Sequence, residues 1–422
     1  MNPNPDDTIA AVSTPPGEGG IGIVRVSGPE AIEWVARAFT SSSGADIRKS
    51  RRQVFHGQFR RNGEVLDEVL VHVMRAPHSY TRQDVVEVNC HGGALPVQSV
   101  LETVLAYGAR LADPGEFTRR AFVNGRIDLV QAEAVIDRIR AQTNAGLRAA
   151  SAAAEGKLSL AIRTLRDDLV DAKAYVEAAV DFPDDDLPEL ITPELKAQID
   201  ACAKTMERLI ETAHLGRLLR EGASVAIVGR PNVGKSSLFN ALLRENRAIV
   251  TATAGTTRDT LEERANIEGI PVRLTDMAGL RHTHDEAERL GVERARAAMG
   301  QAMVVLFVLD AADSVSSEDQ ALADELHAMD VSTILVLNKV DLLTNPPVLP
   351  KFGFRGIAVS ALSGQGIDRL ESELGRLLRD GQGFSPDQTM LTRVHQRDSL
   401  RRALDATRKT IDNGGASPEF IS

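Results

Sequence analysis

Cysteine is almost missing from this 422-residue chain: Cys90 and Cys202 are its only two, and neither sits in a CxxC or Cys/His ligand spacing. A disulfide framework is thereby excluded, and both thiols read as small buried hydrophobes. Also missing is any run approaching the roughly 18 uninterrupted apolar residues that a membrane span needs. The opening stretch, MNPNPDDTIAAV, has neither the basic flank nor the apolar core of a secretory signal, so a cytoplasmic location and no membrane partner are expected. No internal repeat of fixed period is visible. Positive charge is in deficit: 49 Lys and Arg against 59 Asp and Glu leave a net charge of -10, so the chain as a whole does not attract nucleic acid. Any RNA contact must be local. One basic cluster exists, Arg48, Lys49, Arg51, Arg52, Arg60 and Arg61, which reads either as a solvated face or as such a contact. With 43% hydrophobic and 26% charged residues the chain is globular in composition, and its length calls for two or three cores.

Three patterns follow one another. From Thr8 to about Leu111, short alternating runs such as IGIVRV, EVLVHVM and DVVEVNC are separated by the turn signals PPGEGG and RNGE, the mark of a small α+β domain. From about Glu116 to Arg220, turn signals nearly vanish and apolar residues recur at helical spacing, broken at DFPDDDLPELITPE and restarting near Pro193. From SVAIVG onward, apolar strands alternate with helices, which indicates a parallel sheet covered on both faces. Helical spacing returns after Gly383, so the α/β unit reads as an insertion. The expected architecture is multi-domain: an α+β N-terminal domain over 1–118, an α-helical bundle over 119–220 and 382–422, and an inserted α/β P-loop domain over 221–381.

The α/β segment carries ordered chemistry. Gly229, Arg230, Pro231, Asn232, Val233, Gly234, Lys235 and Ser236 fit GxxxxGK[ST] between an apolar strand and a helical run, with Ser237 next in line. Glycines let backbone N–H groups turn toward phosphates, Lys235 reaches the β and γ oxygens, and the Ser236 hydroxyl suits magnesium. Asp276, Met277, Ala278 and Gly279 end a second strand as a DxxG station. Asn338, Lys339 and Asp341 end a third, where the Asp341 carboxylate accepts the paired N–H donors of guanine and so selects GTP over ATP. Ser360 and Ala361 follow a fifth strand and suit the guanine carbonyl. Between the first two stations lies Thr251, Ala252, Thr253, Ala254, Gly255, Thr256 and Thr257, a loop placed to close over the γ-phosphate, with Thr257 on magnesium. Leu280 follows Gly279 where Ras-type enzymes place a water-orienting glutamine, so hydrolysis needs another group. Asn232 reads either as a turn residue or, with the Thr-rich loop, as a monovalent-cation site standing in for an arginine finger.

With those residues in view, the chain resembles the MnmE/TrmE family of tRNA-modification GTPases over nearly its whole length. DTIAAVSTPPGEGGIGIVRVSG, DVVEVNCHGG, PGEFTRRAFVNGRIDLVQAEAV, YVEAAVDFPD and GTTRD carry the likeness. The resemblance implies a homodimer whose N-terminal domain binds 5-formyl-tetrahydrofolate, and a flavoprotein partner, MnmG. With that partner the family installs a carboxymethylaminomethyl group on C5 of the wobble uridine of tRNA. It implies folate contacts at Arg25, Glu87 and Arg126, the last often lysine in relatives. It implies potassium on Asn232, Thr251, Thr253 and Thr256, magnesium on Ser236 and Thr257, and a catalytic acid at Glu288 acting beside Lys235. Read without the family, Arg25 and Glu87 form a cross-strand pair, and Glu288 is a helix-start carboxylate with Glu286 and Asp285 as local rivals. Met277 departs from the family's usual threonine. Relatives also continue to a cysteine-containing FCIGK tail, whereas this sequence stops at Ser422, so GTP hydrolysis is expected to survive and completion of tRNA modification is placed in doubt. Two alternatives stand beside this reading: an Era- or EngA-like ribosome-assembly switch, disfavoured by the N-terminal segment, and a modification-incompetent homologue that retains GTPase activity.

Overall fold

The computed structural model describes residues 7–50, 52–181, 192–246, 262–276, 299–381 and 388–412, and the chain divides into two compact units, Met1–Val135 and Ile136–Ser422. Among the described residues no helix is long and apolar enough to cross a membrane.

In the first unit, β1 (Ile9–Val12), β2 (Gly19–Ser27), β3 (Phe39–Ser41), β4 (Arg52–Arg61), β5 (Glu64–Met74), β6 (Val85–Gly92) and β7 (Arg110–Leu111) form one sheet in the order β3-β4-β5-β6-β2-β1-β7. The period-two placement of valine decides which face is buried. Val69, Val71 and Val73 of β5 and Val86 and Val88 of β6 pack beneath α1 (Ala31–Ala38) and α2 (Ala94–Ala106), against Ile32, Val35, Val100 and Val104. The intervening residues, including Arg25 and Glu87, point to the other face, where the two stand directly opposite in the β2–β6 register.

Helical spacing alone groups α3 (Glu116–Val123) with the helices that follow it, but in the structure it is bound into the sheet unit. The reason is ionic. Glu116, nearly fully buried, accepts hydrogen bonds from Arg110 Nη2 at 2.6 Å, Arg120 Nη2 at 3.0 Å and the Asp113 backbone N–H at 2.8 Å. Arg120 in turn donates to the Asp7 carbonyl at 2.7 Å and to Gln83 Oε1 at 3.1 Å. Burial by itself would raise the Glu116 pKa, yet these donors hold it at about 2.

The second unit combines helices and a second sheet. Past α4 (Leu129–Arg140), α5 (Asn144–Ala154) and α6 (Lys157–Asp181), α7 (Pro193–Glu211) restarts the helical run where a Thr192 side-chain cap and a first-turn proline favour it. It packs against α6 through Val176, Leu195 and Ile199, and α12 (Val394–Asp412) lies alongside it. From α8 (Ala213–Glu221) the chain enters β8 (Ala223–Val228), which opens a sheet with β9 (Glu262–Ile267), β10 (Ile270–Asp276), β11 (Val304–Asp310), β12 (Thr333–Asn338) and β13 (Arg355–Ala358), in the order β13-β12-β11-β8-β10-β9. All pairings are parallel except β9, an antiparallel edge strand turned by Glu268 and Gly269. Helices α9 (Lys235–Asn246) and α11 (Ile367–Leu378) cover one face through Leu238, Leu242, Leu370 and Leu374, and α10 (Ser317–Ala328) covers the other through Ala323 and Leu326.

The segments entering and leaving this sheet are fastened together. Leu391 N donates to Thr212 Oγ1 at 3.1 Å, His214 Nε2 meets the Leu378 carbonyl at 2.9 Å, and a side chain at Gly216 would put its Cβ 2.1 Å from the Leu391 carbonyl oxygen.

Candidate functional site

Strand order in the second sheet reverses at β8, the position at which open parallel sheets bind ligands beyond their carboxyl ends. The loop from Gly229 to Gly234 leaves β8 there and runs into α9. Its glycines are required by close approach and by positive φ: a Cβ at Gly229 would lie 2.3 Å from the Val308 carbonyl oxygen, and one at Gly234 would lie 2.2 Å from Asn338 Nδ2. Lys235, largely buried, holds its ammonium over the loop by donating to the Gly229 carbonyl at 3.0 Å and the Arg230 carbonyl at 2.7 Å. Ser236 and Ser237 sit exposed in the first turn of α9, where the helix dipole favours an anion.

The loops after β12 and β13 are tied to this loop by two side chains. Asn338, buried at the end of β12, donates from Nδ2 to the Val233 carbonyl at 3.0 Å and accepts from Ala361 N at 3.0 Å, so one amide spans both loops. Lys339 takes a left-handed backbone, φ 64°, and its ammonium reaches the Asn232 carbonyl at 2.7 Å and Asp310 Oδ2 at 2.6 Å. Asp341 then stands exposed at the first turn after β12. Ser360 Oγ accepts from Ser363 N at 3.2 Å, which rounds off the loop carrying Ala361. A second acid on the β11–α10 connection steadies the other side: buried Asp319 accepts from Arg230 Nε at 2.9 Å while closing the capping box with Ser316 at the start of α10.

In the first unit a different cluster forms. Arg25 Nε donates to Glu87 Oε1 at 2.7 Å, and its guanidinium lies 5.6 Å from the Tyr80 ring centroid and 5.5 Å from that of Phe117. The Arg126 guanidinium lies 4.9 Å from the same Tyr80 ring. Tyr80 Oη bonds Thr118 Oγ1 at 2.9 Å, so α3 fixes the ring that both arginines approach. The cluster combines a carboxylate acceptor, an aromatic plate and two cations, suited to a flat ligand bearing N–H donors and negative charge.

The sequence model described as GTP-binding protein TrmE N-terminus matches residues 8–126, and that described as MnmE helical domain matches residues 129–422, well over half of the chain. The chain belongs to the MnmE family of tRNA modification GTPases. Among its relatives, the tRNA modification GTPase MnmE of Chloroflexus aurantiacus is 48% identical, covering 98% of this chain and 91% of the relative. That of Natranaerobius thermophilus is 43% identical over 96% and 90%. A solved structure of Aquifex aeolicus Era is 27% identical over 44% of this chain and 66% of its own, with a TM-score of 0.32. As a member of the MnmE family the chain is a GTP-hydrolysing enzyme with a P-loop sheet.

Of the site residues expected in this MnmE-family chain, Asn232 to Ser237, Asn338, Lys339, Asp341, Ser360 and Ala361 lie along the carboxyl ends of one sheet. Asp276 ends β10 opposite Ile227 of β8. Thr251 to Thr257, Met277 to Gly279 and Glu288 lie outside the described residues. Arg25, Glu87 and Arg126 are brought together around Tyr80, and the cross-strand pairing of the first two coexists with that convergence. Tyr80, Phe117, Asp310 and Asp319 were missed. The capping pattern Ser316-x-x-Asp319 is a usable signal for the last; Tyr80 and Phe117 carry no local sequence signal. The basic cluster disperses: Arg48 bonds Asp46 at 3.0 Å and Arg61 pairs with Glu102 at 3.5 Å.

Proposed function

We propose that this chain hydrolyses GTP within the machinery that modifies the wobble uridine of tRNA, as a homodimer working with an MnmG-type flavoprotein and 5-formyl-tetrahydrofolate. The observation that carries the nucleotide reading is the Asn338 amide spanning the Val233 carbonyl and Ala361 N–H, because it locks a phosphate-binding loop to a guanine-selecting one. Family membership supports the tRNA role. In this reading Asp341 accepts the two guanine N–H donors, Lys235 and the first N–H groups of α9 bind the β and γ oxygens, and Glu288 orients the attacking water. The exposed Ser236 hydroxyl, one residue beyond the buried Lys235, fits a magnesium ligand and would share the ion with Thr257. Bound magnesium neutralises charge on the phosphate oxygens. Asn232, whose carbonyl already serves Lys339, would hold potassium with Thr251, Thr253 and Thr256, supplying the charge of an absent arginine finger. Glu87, Arg25 and Arg126 around Tyr80 fit a folate, which brings the one-carbon unit. The domain limits 1–118, 119–220, 221–381 and 382–422 belong to the same proposal, with the first boundary drawn after α3 and not through it.

The test is GTP turnover in potassium and in sodium at matched ionic strength, with the parent and Glu288→Ala. Turnover several-fold faster in potassium, and a fall of about two decades in Glu288→Ala with nucleotide affinity kept, are expected. Equal rates in the two salts sink the cation assignment, and a Glu288→Ala rate within a factor of a few of the parent removes that residue from catalysis.

A further inference from the structure

Beside Tyr80 the first unit opens into a cavity of about 500 Å³ that shares Tyr80 and Arg126 with the folate reading and extends beyond them to Arg52, His78 and Arg82. Arg52 from β4, Arg82, Arg126 and His78 line it together with Ser79 and Tyr80. Among the described residues no carboxylate lines this cavity, and none of the three guanidinium groups is engaged in an ion pair. Three uncompensated cations around one concavity repel one another, an arrangement that an anionic ligand relieves. Arg82 is also held in place: its backbone has φ 59°, a left-handed conformation uncommon for arginine, and its Nη1 donates to the Asn124 carbonyl at 3.0 Å.

Tyr80 joins two chemistries. Arg25, paired with Glu87, approaches its ring at 5.6 Å, and Arg126, which lines the cationic cavity, approaches it at 4.9 Å. A molecule spanning both would offer N–H donors to Glu87, a flat aromatic segment to Tyr80, and carboxylates to the arginines. We propose that the cavity binds the γ-linked glutamate tail of a polyglutamylated folate, an inference that rests on the folate reading above and extends it to the form of the cofactor. Each added glutamate carries one more carboxylate, which the guanidinium fork accepts in bidentate fashion. RNA phosphate is the competing anion. A concave site beside a stacking ring and a carboxylate suits a small molecule better than a phosphate backbone.

The experiment compares the affinities of the full chain for the monoglutamate and the tri-γ-glutamate of 5-formyl-tetrahydrofolate by isothermal titration calorimetry, at low and high salt. At low salt the triglutamate should bind about tenfold more tightly, and the ratio should shrink toward about two at roughly 0.5 M salt, as expected for partly exposed ion pairs. In the Arg52→Ala/Arg82→Ala double variant the ratio should fall to about two at low salt, and Arg82→Lys should give an intermediate ratio, because an ammonium keeps the charge but cannot form the two parallel bonds of the guanidinium fork. A ratio near one in the parent, or a full ratio persisting in the double variant, overturns the proposal while leaving folate binding itself intact. A full ratio in the double variant accompanied by weakened binding of a tRNA anticodon stem would assign the cavity to RNA and overturn it as well. No binding of even the monoglutamate by the parent would instead defeat the folate reading, and this extension with it.

Discussion

At the carboxyl end of β12 in the second unit, the side chains of Asn338 and Lys339 pin one loop to another. Around Tyr80 the roles are exchanged: α3, β2 and β6 hold their places, and the side chains of Arg25, Glu87 and Arg126 form the surface. Loops pinned by a buried amide fail together when that amide is lost, because both partners are left without it in a place water does not reach. A cluster of cation–aromatic contacts weakens by degrees, since each contact is worth only about 0.5–2 kcal/mol. The first design therefore gives all-or-none recognition, and the second gives graded recognition.

The largest effect should come from Asn338→Ala. It strips the Val233 carbonyl and Ala361 N–H of their shared partner, at about 1–3 kcal/mol each, so GTP affinity should drop by about two decades or more in a fluorescent-nucleotide titration. A loss under about threefold would show that the loops keep their places without the amide. Asp341→Asn probes the same end without touching the pin: GTP should weaken and xanthosine triphosphate strengthen, since an amide replaces a double acceptor with a donor and an acceptor. An unchanged ratio of the two affinities would displace Asp341 from the guanine contact.

Next in size is Glu116, on which the placing of α3, and so of Tyr80, depends. The folded chain keeps this carboxylate ionised down to about pH 2, whereas its ordinary pKa is 4.5. Its contribution, on the order of 3 kcal/mol, should be complete above about pH 4.5 and should disappear as the pH falls toward 2. Glu116→Gln should remove that pH dependence from the unfolding of the first unit, followed by tryptophan fluorescence of Trp34; an identical acid transition in the variant would contradict it. Asp137 in the second unit has the opposite sign: burial raises its pKa despite the Arg393 guanidinium 3.0 Å away, so its charge is a burden that acidification lifts. Smaller again is Tyr80→Ala, which should cost about tenfold in 5-formyl-tetrahydrofolate affinity, or about 1.4 kcal/mol. Tyr80→Phe, losing only the bond to Thr118, should cost under about threefold. If the phenylalanine form were as weak as the alanine form, the hydroxyl and not the ring would carry the site.

The two regions also differ in how far they could be read from the sequence. The nucleotide stations are contiguous, because a parallel sheet delivers each loop at a strand end, and Gly229–Ser236, Asn338–Asp341 and Ser360–Ala361 could be ordered by strand pattern alone. The Tyr80 cluster draws on residues 25, 80, 87, 117 and 126, joined only by tertiary contacts, so no local spacing points to it. Two further features were hidden for similar reasons. Helical periodicity says nothing of the buried Glu116–Arg120–Asp7 network that assigns α3 to the sheet, and a parallel α/β pattern gives no hint that β9 closes the edge antiparallel. Likewise the link from Asp310 to Lys339 spans 29 residues and appears only when β11 and β12 lie side by side.

The fastening of Leu391 to Thr212, with His214 on the Leu378 carbonyl, has a mechanical consequence. A body hung on one thread can swivel about any axis and transmits no torque. Here two threads cross side by side and are stitched together, Gly216 allowing them to touch, so the β8–β13 sheet hangs from α7 and α12 as a door hangs from two neighbouring pins. The two connections are therefore not independent: moving one pulls on the other through the Thr212 and His214 bonds.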